Sequence, residues 1–279
     1  MKSLTKEIIS LPSRENITNK SDAGRVLIVG ADLGMCGAAC FSAKAAYRSG
    51  CGLVRAHIHF ENRIPMQTLV PEAVLSFWED GVDMPNLEQG LEWAHSVLVG
   101  IGFGKGETQK RILKKIVRES KKPLVIDADG LNILSENKAL LKHLPRGTVL
   151  TPHPAELSRL TGESVEDITK DPVSILEKHF NNMGITVVAK NVRTVIFHLD
   201  NTVSECSLGN SSLSTGGTGD ILAGMAASFM AQGLTSDASA DAAVYFHALA
   251  GRSAGEALGQ RSVMAGDVVD AIHKVLKDY

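Results

Sequence analysis

RVLIVGADLGMCGAACFSAKAAYRSG, residues 25–50, runs from a β-branched stretch through a glycine-containing loop into small and apolar residues at helical spacing. A strand that feeds a helix through a short loop is the unit from which parallel sheets are built. Outward from it the same alternation continues. "LVRAHI" (53–58), "SVLVG" (96–100), a helix over about 108 to 119, "PLVIDAD" (123–129), "GTVLTPH" (147–153), a helix from Pro154 and "ITVVAK" (185–190) follow in turn. The pair "RTVIFHL" (193–199) and "NTVSEC" (201–206) comes next, and everything after residue 218 reads as helix. The pattern predicts an α/β fold, a three-layer αβα arrangement with a largely parallel central sheet and helices on both faces.

The chain has 279 residues, 44% hydrophobic and 22% charged, enough to bury one sizeable core. Its net charge of -2 offers no field for a nucleic-acid backbone or an anionic membrane. The start, "MKSLTKEIISLPSRENITNKSD", lacks the apolar run of a signal peptide. The stretch "ILAGMAASFMA" (221–231) falls short of the roughly 20 residues a membrane span needs. A cytoplasmic protein with no nucleic-acid or membrane partner is expected. Cys36, Cys40, Cys51 and Cys206 form neither a CxxC pair nor a zinc spacing and read as buried thiols. With no linker or repeat to divide it, 24–279 reads as a single domain behind a tail or loosely attached segment, 1–23.

In such a sheet ligands bind beyond the carboxyl ends of the strands. The loops "GADLGMCGAA", "GIGFGKGE", "DADGLN", "TPHPAE" and "KNVRT" all fall there and are expected to open on one rim. The stretch "SLSTGGTGDILAG" (212–224) adds Gly216, Gly217, Thr218 and Gly219 ahead of an apolar helix. Unpaired amides at a helix start, approached closely through glycine, make an anion hole. The bland alternative has Thr218 merely capping the helix and Asp220 decorating its first turn. A carboxylate beside a phosphate nevertheless needs a separate job, and Asp220 is read as the base that takes a proton from a hydroxyl attacking a phosphoryl group.

Together "TGGTGD" (215–220), "LTPHPAELSRLTG" (150–162), "DADGLN" (127–132), "GMCGAACFSAKAAYRSGCGLV" (34–54) and "VYFHALAG" (244–251) resemble the ADP/ATP-dependent NAD(P)H-hydrate dehydratase family of the ribokinase-like superfamily. The resemblance runs from about Gly24 to the C-terminus. It implies phosphorylation of the hydroxyl of the S epimer of NADH hydrate or NADPH hydrate by ADP or ATP with Mg²⁺, then loss of phosphate to restore NAD(P)H. Asp220 would be the base and Gly216 to Gly219 the anion hole. The family's companion epimerase often fills an N-terminal domain of about two hundred residues. The sequence leaves no room for one, so a stand-alone dehydratase is expected, assembling as a homo-oligomer, a tetramer by resemblance.

Carried over by position, Ala38, Gly102, Gly104, His153 and Asp220 would border the hydrate. Ala38 reads equally as a small packing residue, and His153 as a cap for the helix that begins at Pro154. Lys190, Asn191, Val192, Arg193 and Thr194, with Gly219, would hold the nucleotide. Asn191 stands where the family usually has glycine, and a left-handed turn would survive there because Asn tolerates positive φ. Arg193 adds a long cation that pairs with a phosphate or stays solvated. Asp127 and Asp129 read equally as a metal or water network and as caps, and neither is assigned to catalysis; no metal ligand is named. The alternatives are a small-alcohol kinase of the same superfamily, acting on a thiazole or pyrimidine alcohol, and a catalytically silent nucleotide-binding module.

Overall fold

A computed structural model describes residues 1–14, 19–79 and 85–279. Ten strands form one sheet among these residues: β1 (Lys2–Ser3), β2 (Arg25–Gly30), β3 (Leu53–His59), β4 (Val74–Trp78), β5 (Ser96–Val99), β6 (Leu124–Ile126), β7 (Val149–Leu150), β8 (Thr186–Ala189), β9 (Thr194–Phe197) and β10 (Val203–Cys206). Their order across the sheet is β1-β10-β9-β8-β7-β6-β5-β2-β3-β4. Of the described strands only β9 runs against its neighbours. The fold is the expected three-layer ribokinase-like α/β arrangement.

Alternation along the strands divides the core. Val26, Ile28, Val54, Ala56 and Leu98 face the layer of helices Cys36–Arg48, Thr218–Ala231, Ser236–Leu258 and Ala265–Leu276. Leu27, Val29, Val97, Val99 and Ile126 face the layer that includes Glu107–Glu119, Asp129–Glu136, Pro154–Thr161 and Pro172–Phe180. A strand buried on both faces reads as a continuous apolar run, which is why "VLIV" and "VLV" are legible.

Helix Thr218–Ala231 is enclosed along almost its whole length. Every residue in it except Gly219 and Asp220 is buried, as an apolar circumference requires. It lies so close to Cys36–Arg48 that a Cβ on Gly224 would stand 2.4 Å from the Ser42 carbonyl oxygen. At the start of the same helix the Ser42 hydroxyl donates to the Asp220 carbonyl at 2.9 Å.

Two expectations need correcting. The start of the chain is not loosely attached over 1–14: Lys2–Ser3 pairs in parallel with β10, and Leu4 and Ile9 are buried in the core. The free edge of β10 needs backbone partners, and the two apolar side chains find the core from there. Of the four thiols, Cys40, Cys51 and Cys206 are buried as expected, whereas Cys36, first residue of its helix, is half-buried.

Gly224→Ala should force the two helices apart and cost about 1–3 kcal/mol, against a gain of roughly 1 kcal/mol from helix propensity. A lower thermal midpoint by calorimetry is expected; a higher one would mean that the helices are not held by this contact.

Candidate active site

The helix that carries Asp220 begins without a side-chain cap. Its N-cap is Gly217, at φ +96, where a Cβ would come within 2.8 Å of the Phe41 ring. Thr218 is therefore not the cap. Its hydroxyl reaches back to the carbonyls of Leu213, at 2.8 Å, and Thr215, at 3.0 Å, and so tacks down the loop before the helix. Gly216 has nothing within 4 Å of its Cβ position. The first-turn amides thus keep an open approach.

Beside this cradle lies a charge cluster. Lys190, just past β8, donates to Asp127, just past β6, at 2.8 Å, and its ammonium is 3.8 Å from Glu156. Asp127 and Glu156 are 1% and 5% exposed. Burial works against the Lys190 charge, but Asp127 and Glu156 outweigh it and the pKa is raised. Burial raises the Glu156 carboxyl, Lys190 opposes and Asp127 adds to the rise. Asp220 is pushed up to about 7, first by burial and then by repulsion from Asp127, with Lys190 pulling the other way. A carboxylate with this pKa is suited to taking a proton near neutral pH.

On one side of Asp220 opens a cavity of about 480 Å³ lined by Ala38, Gly102, His153, Asp220, Glu156 and Asn132, among others. Gly102, at φ +50, lets the loop press to within about van der Waals contact of the first helix: a Cβ there would be 2.9 Å from that of Ala38. Gly104 does not line this cavity. Its amide donates to Asp129 at 2.8 Å, and at φ +74 it closes a loop beside Asp32. Asp129 also accepts from the Asn132 side chain, at 3.2 Å.

His153 caps a helix, as one of its readings had it, and it also faces this cavity. It is the N-cap of Pro154–Thr161 within a capping box. Because Nδ1 accepts from the amides of Ala155 and Glu156, the ring proton sits on Nε2 and faces Glu156 at 3.2 Å. Burial and then Lys190 lower its pKa, so the ring is neutral.

On the other side lies a cavity of about 210 Å³ bordered by Lys190, Asn191, Val192, Thr194, Thr218 and Gly219. Arg193 is not brought to it. The guanidinium pairs instead with Glu205 on β10, the strand that follows β9 in the sheet order. Nor does Asn191 need the left-handed conformation anticipated for it. Its φ is not positive, and its side chain instead accepts from the Val192 amide at 2.8 Å.

Sequence reading passed over Glu156, Asn210 and His247. Glu156 was visible as the third residue of a capping box, His-Pro-Ala-Glu. Asn210 carried no pattern and His247 stood within "VYFHALAG" with no role of its own, yet both line the smaller cavity, and Asn210 Oδ1 and His247 Nε2 are buried without a partner. Burial pushes His247 down to about 4, leaving a neutral ring.

The family model described as NAD(P)H-hydrate dehydratase matches residues 26–274. The chain belongs to that family. It is 34% identical over 268 residues to the ADP-dependent (S)-NAD(P)H-hydrate dehydratase of Neisseria meningitidis, covering 93% of this chain and 87% of that one. With the bifunctional NAD(P)H-hydrate repair enzyme of Escherichia coli it shares 33% identity over 266 residues, 95% of this chain. The chain spans about half the length of such bifunctional relatives, 50% in that case. Among solved structures, a ribokinase-like superfamily protein from Enterococcus faecalis superposes with a TM-score of 0.87 at 30% identity, covering 100% of this chain and 96% of that one.

Asp220 imposes a pH signature on stability. An acid that binds its proton more tightly when folded withdraws stability as pH rises from roughly 4, its unfolded pKa, to about 7, its folded one. Asp220→Asn is expected to raise the thermal midpoint at pH 8 by several degrees and by less at pH 5. A gain that is equal at both pH values would show that Asp220 is not under electrostatic pressure.

Proposed function

We propose that this protein dehydrates the S epimer of NADH hydrate or NADPH hydrate at the expense of ADP or ATP, restoring the reduced dinucleotide, with 24–279 as the catalytic unit. The observation that carries the reading is the position of Asp220. It lines the larger cavity with Ala38, Gly102 and His153, expected to border a hydrate, and directly follows Thr218 and Gly219, which line the smaller cavity with Lys190, Asn191, Val192 and Thr194, expected to hold a nucleotide, all at the uncapped start of one helix.

From that position the Asp220 carboxylate takes the proton of the hydrate hydroxyl as its oxygen attacks the terminal phosphoryl group. The amides of the Gly217–Gly219 turn hold the charge that develops on the transferred group. Expulsion of phosphate from the same carbon, with loss of a ring proton, then regenerates the nicotinamide double bond. Lys190 stays beside the cradle: its Nζ is 3.5 Å from where a Gly219 Cβ would be. Asp127 presents its second oxygen to the same place, at 3.8 Å. A hard carboxylate oxygen facing a phosphate cradle suits Mg²⁺, so Asp127 would hold that ion, which neutralises phosphate charge when bound. His153 and Glu156, locked to each other, orient the hydrate end.

The small-alcohol kinase reading shares the cradle and Asp220 but gives no account of the larger cavity walled by Ala38, Gly102 and His153. A silent module gives none of Asp220, whose elevated pKa costs stability. Among the described residues no helix is long and apolar enough to cross a membrane, and we place the protein in the cytoplasm as a homo-oligomer, a tetramer by resemblance.

Recovery of reduced-nicotinamide absorbance from the S hydrate should require nucleotide and Mg²⁺. Asp220→Asn should lower turnover by about 10²–10⁴-fold with nucleotide affinity kept; undiminished turnover in that variant would remove Asp220 as the base. Because Arg193 is engaged with Glu205, Arg193→Ala should leave the nucleotide dissociation constant within about twofold by calorimetric titration. A loss of tenfold, about 1.4 kcal/mol, would mean that the guanidinium leaves Glu205 for the phosphates.

A further inference from the structure

Apart from the two cavities, a pair of thiols stands out. Cys36 Sγ and Cys40 Sγ are 3.7 Å apart, one turn from each other on helix Cys36–Arg48. All four cysteines are free. Cys40 is buried, with the Met66 thioether 3.5 Å from its sulfur, whereas Cys36 is half-buried at the first position of the helix. The two therefore have different chemistry. A helix start favours a thiolate, and the hydrogen bond from Cys40 lowers the Cys36 pKa, while the same contact and burial push Cys40 up.

The location gives the pair a consequence. Met35, Gly37 and Ala38, which flank Cys36, line the larger cavity. The same turn is pressed against Gly102: a Cβ there would lie 3.0 Å from that of Met35 and 3.1 Å from the Met35 carbonyl oxygen. No side chain caps this helix, and Gly34 before it sits at φ +77 with open space around its Cβ position. The first turn can therefore give way without displacing a packed neighbour at Gly34.

We propose that Cys36 and Cys40 are a peroxide-oxidisable pair whose disulfide deforms the wall of the hydrate cavity. The Cys36 thiolate attacks one oxygen of hydrogen peroxide; an S–O bond forms, the O–O bond breaks and hydroxide leaves. Cys36 is then a sulfenic acid and the peroxide has taken up two electrons. Cys40 gives up its proton and attacks the Cys36 sulfur, forming the S–S bond and releasing water. Overall two thiols and one peroxide give one disulfide and two waters. Helical residues four apart keep their Cβ atoms about 5–6 Å apart, whereas a disulfide draws them to about 3.5–4.5 Å. Closure must tighten the first turn and so shift Met35 and Ala38, the residues pressed against Gly102.

The pair itself rests on the geometry of the thiols, and only its effect on turnover rests on the dehydratase reading. The full chain is treated with hydrogen peroxide, alkylated and digested with trypsin, which places both cysteines in one peptide, Val26–Lys44. The expected product is that peptide about 2 Da lighter and unalkylated. Dithiothreitol should reverse the change. In the oxidised protein the KM for hydrate should rise severalfold with the nucleotide dissociation constant unmoved, and Cys36→Ser should abolish the response. Cys40→Ala should leave a sulfenic acid on Cys36 that dimedone captures. A Val26–Lys44 peptide that still carries two alkylated cysteines overturns the pair, and a closed disulfide with an unchanged hydrate KM overturns its effect on the cavity. Should the reduced protein fail to turn over any hydrate, the dehydratase reading falls while the peptide mass still decides the pair.

Discussion

The near-contact of helices Cys36–Arg48 and Thr218–Ala231 fixes where every other part of the site stands. Gly224 removes the side chain that would hold them apart, and the Ser42 hydroxyl ties the first helix to the Asp220 carbonyl. The second helix is sealed by small and apolar residues on all sides, so its first turn cannot drift, and the amides that emerge there are aimed by the core. Ala38, on the first turn of the partner helix, is set against Gly102 by the same packing. One close approach thus positions the cradle, the base and a wall of the larger cavity at once.

Within that frame the charges are deliberately unbalanced. Asp127, Glu156 and Asp220 share a single ammonium, Lys190, which bonds to Asp127 at 2.8 Å and leaves Asp220 the least compensated of the three. Burying a carboxylate under such conditions costs stability. The arrangement persists because packing holds the helix in place whatever the protonation of Asp220. The reward is a group that changes protonation near neutral pH, and a bound cation would relieve the same excess of negative charge.

What could be read in advance follows from the range of the forces involved. The strands β2, β5, β6 and β8 are buried on both faces, so their apolar runs stand out, and the loops after them are marked by Gly, Pro and Asp. The edge strands β1 and β4 escaped notice because β1 has only two residues and β4 has only Trp78 buried, so it lacks the doubly covered run of the central strands. The Lys190–Asp127 pair joins residues 63 positions apart through sheet order, which no local spacing encodes. Gly102 and Gly104 look alike in "GIGFGKG", yet only the first reaches the cavity; the second is drawn to Asp129 by a hydrogen bond that depends on the next strand's loop. His153 was legible as a cap from its place before Pro154, whereas a role beside a ligand was implied only by the family resemblance. The Arg193 partner, Glu205, lies on a neighbouring strand of the sheet, a pairing that no local spacing announces.

The departure at Asn191 and Arg193 is then easier to understand. A turn that needs no positive φ places no demand for glycine, and the Asn191 side chain replaces solvent as acceptor for the Val192 amide. Arg193 points to the sheet edge, where Glu205 neutralises it and where β10 also receives the N-terminal strand. The smaller cavity is left to Lys190, held in place by Asp127 and Glu156, and to the Gly219 turn and apolar residues such as Leu222 and Val244. What this turn must keep is the path of the backbone from β8 to β9, along which Gly209 closely approaches the Val192 carbonyl.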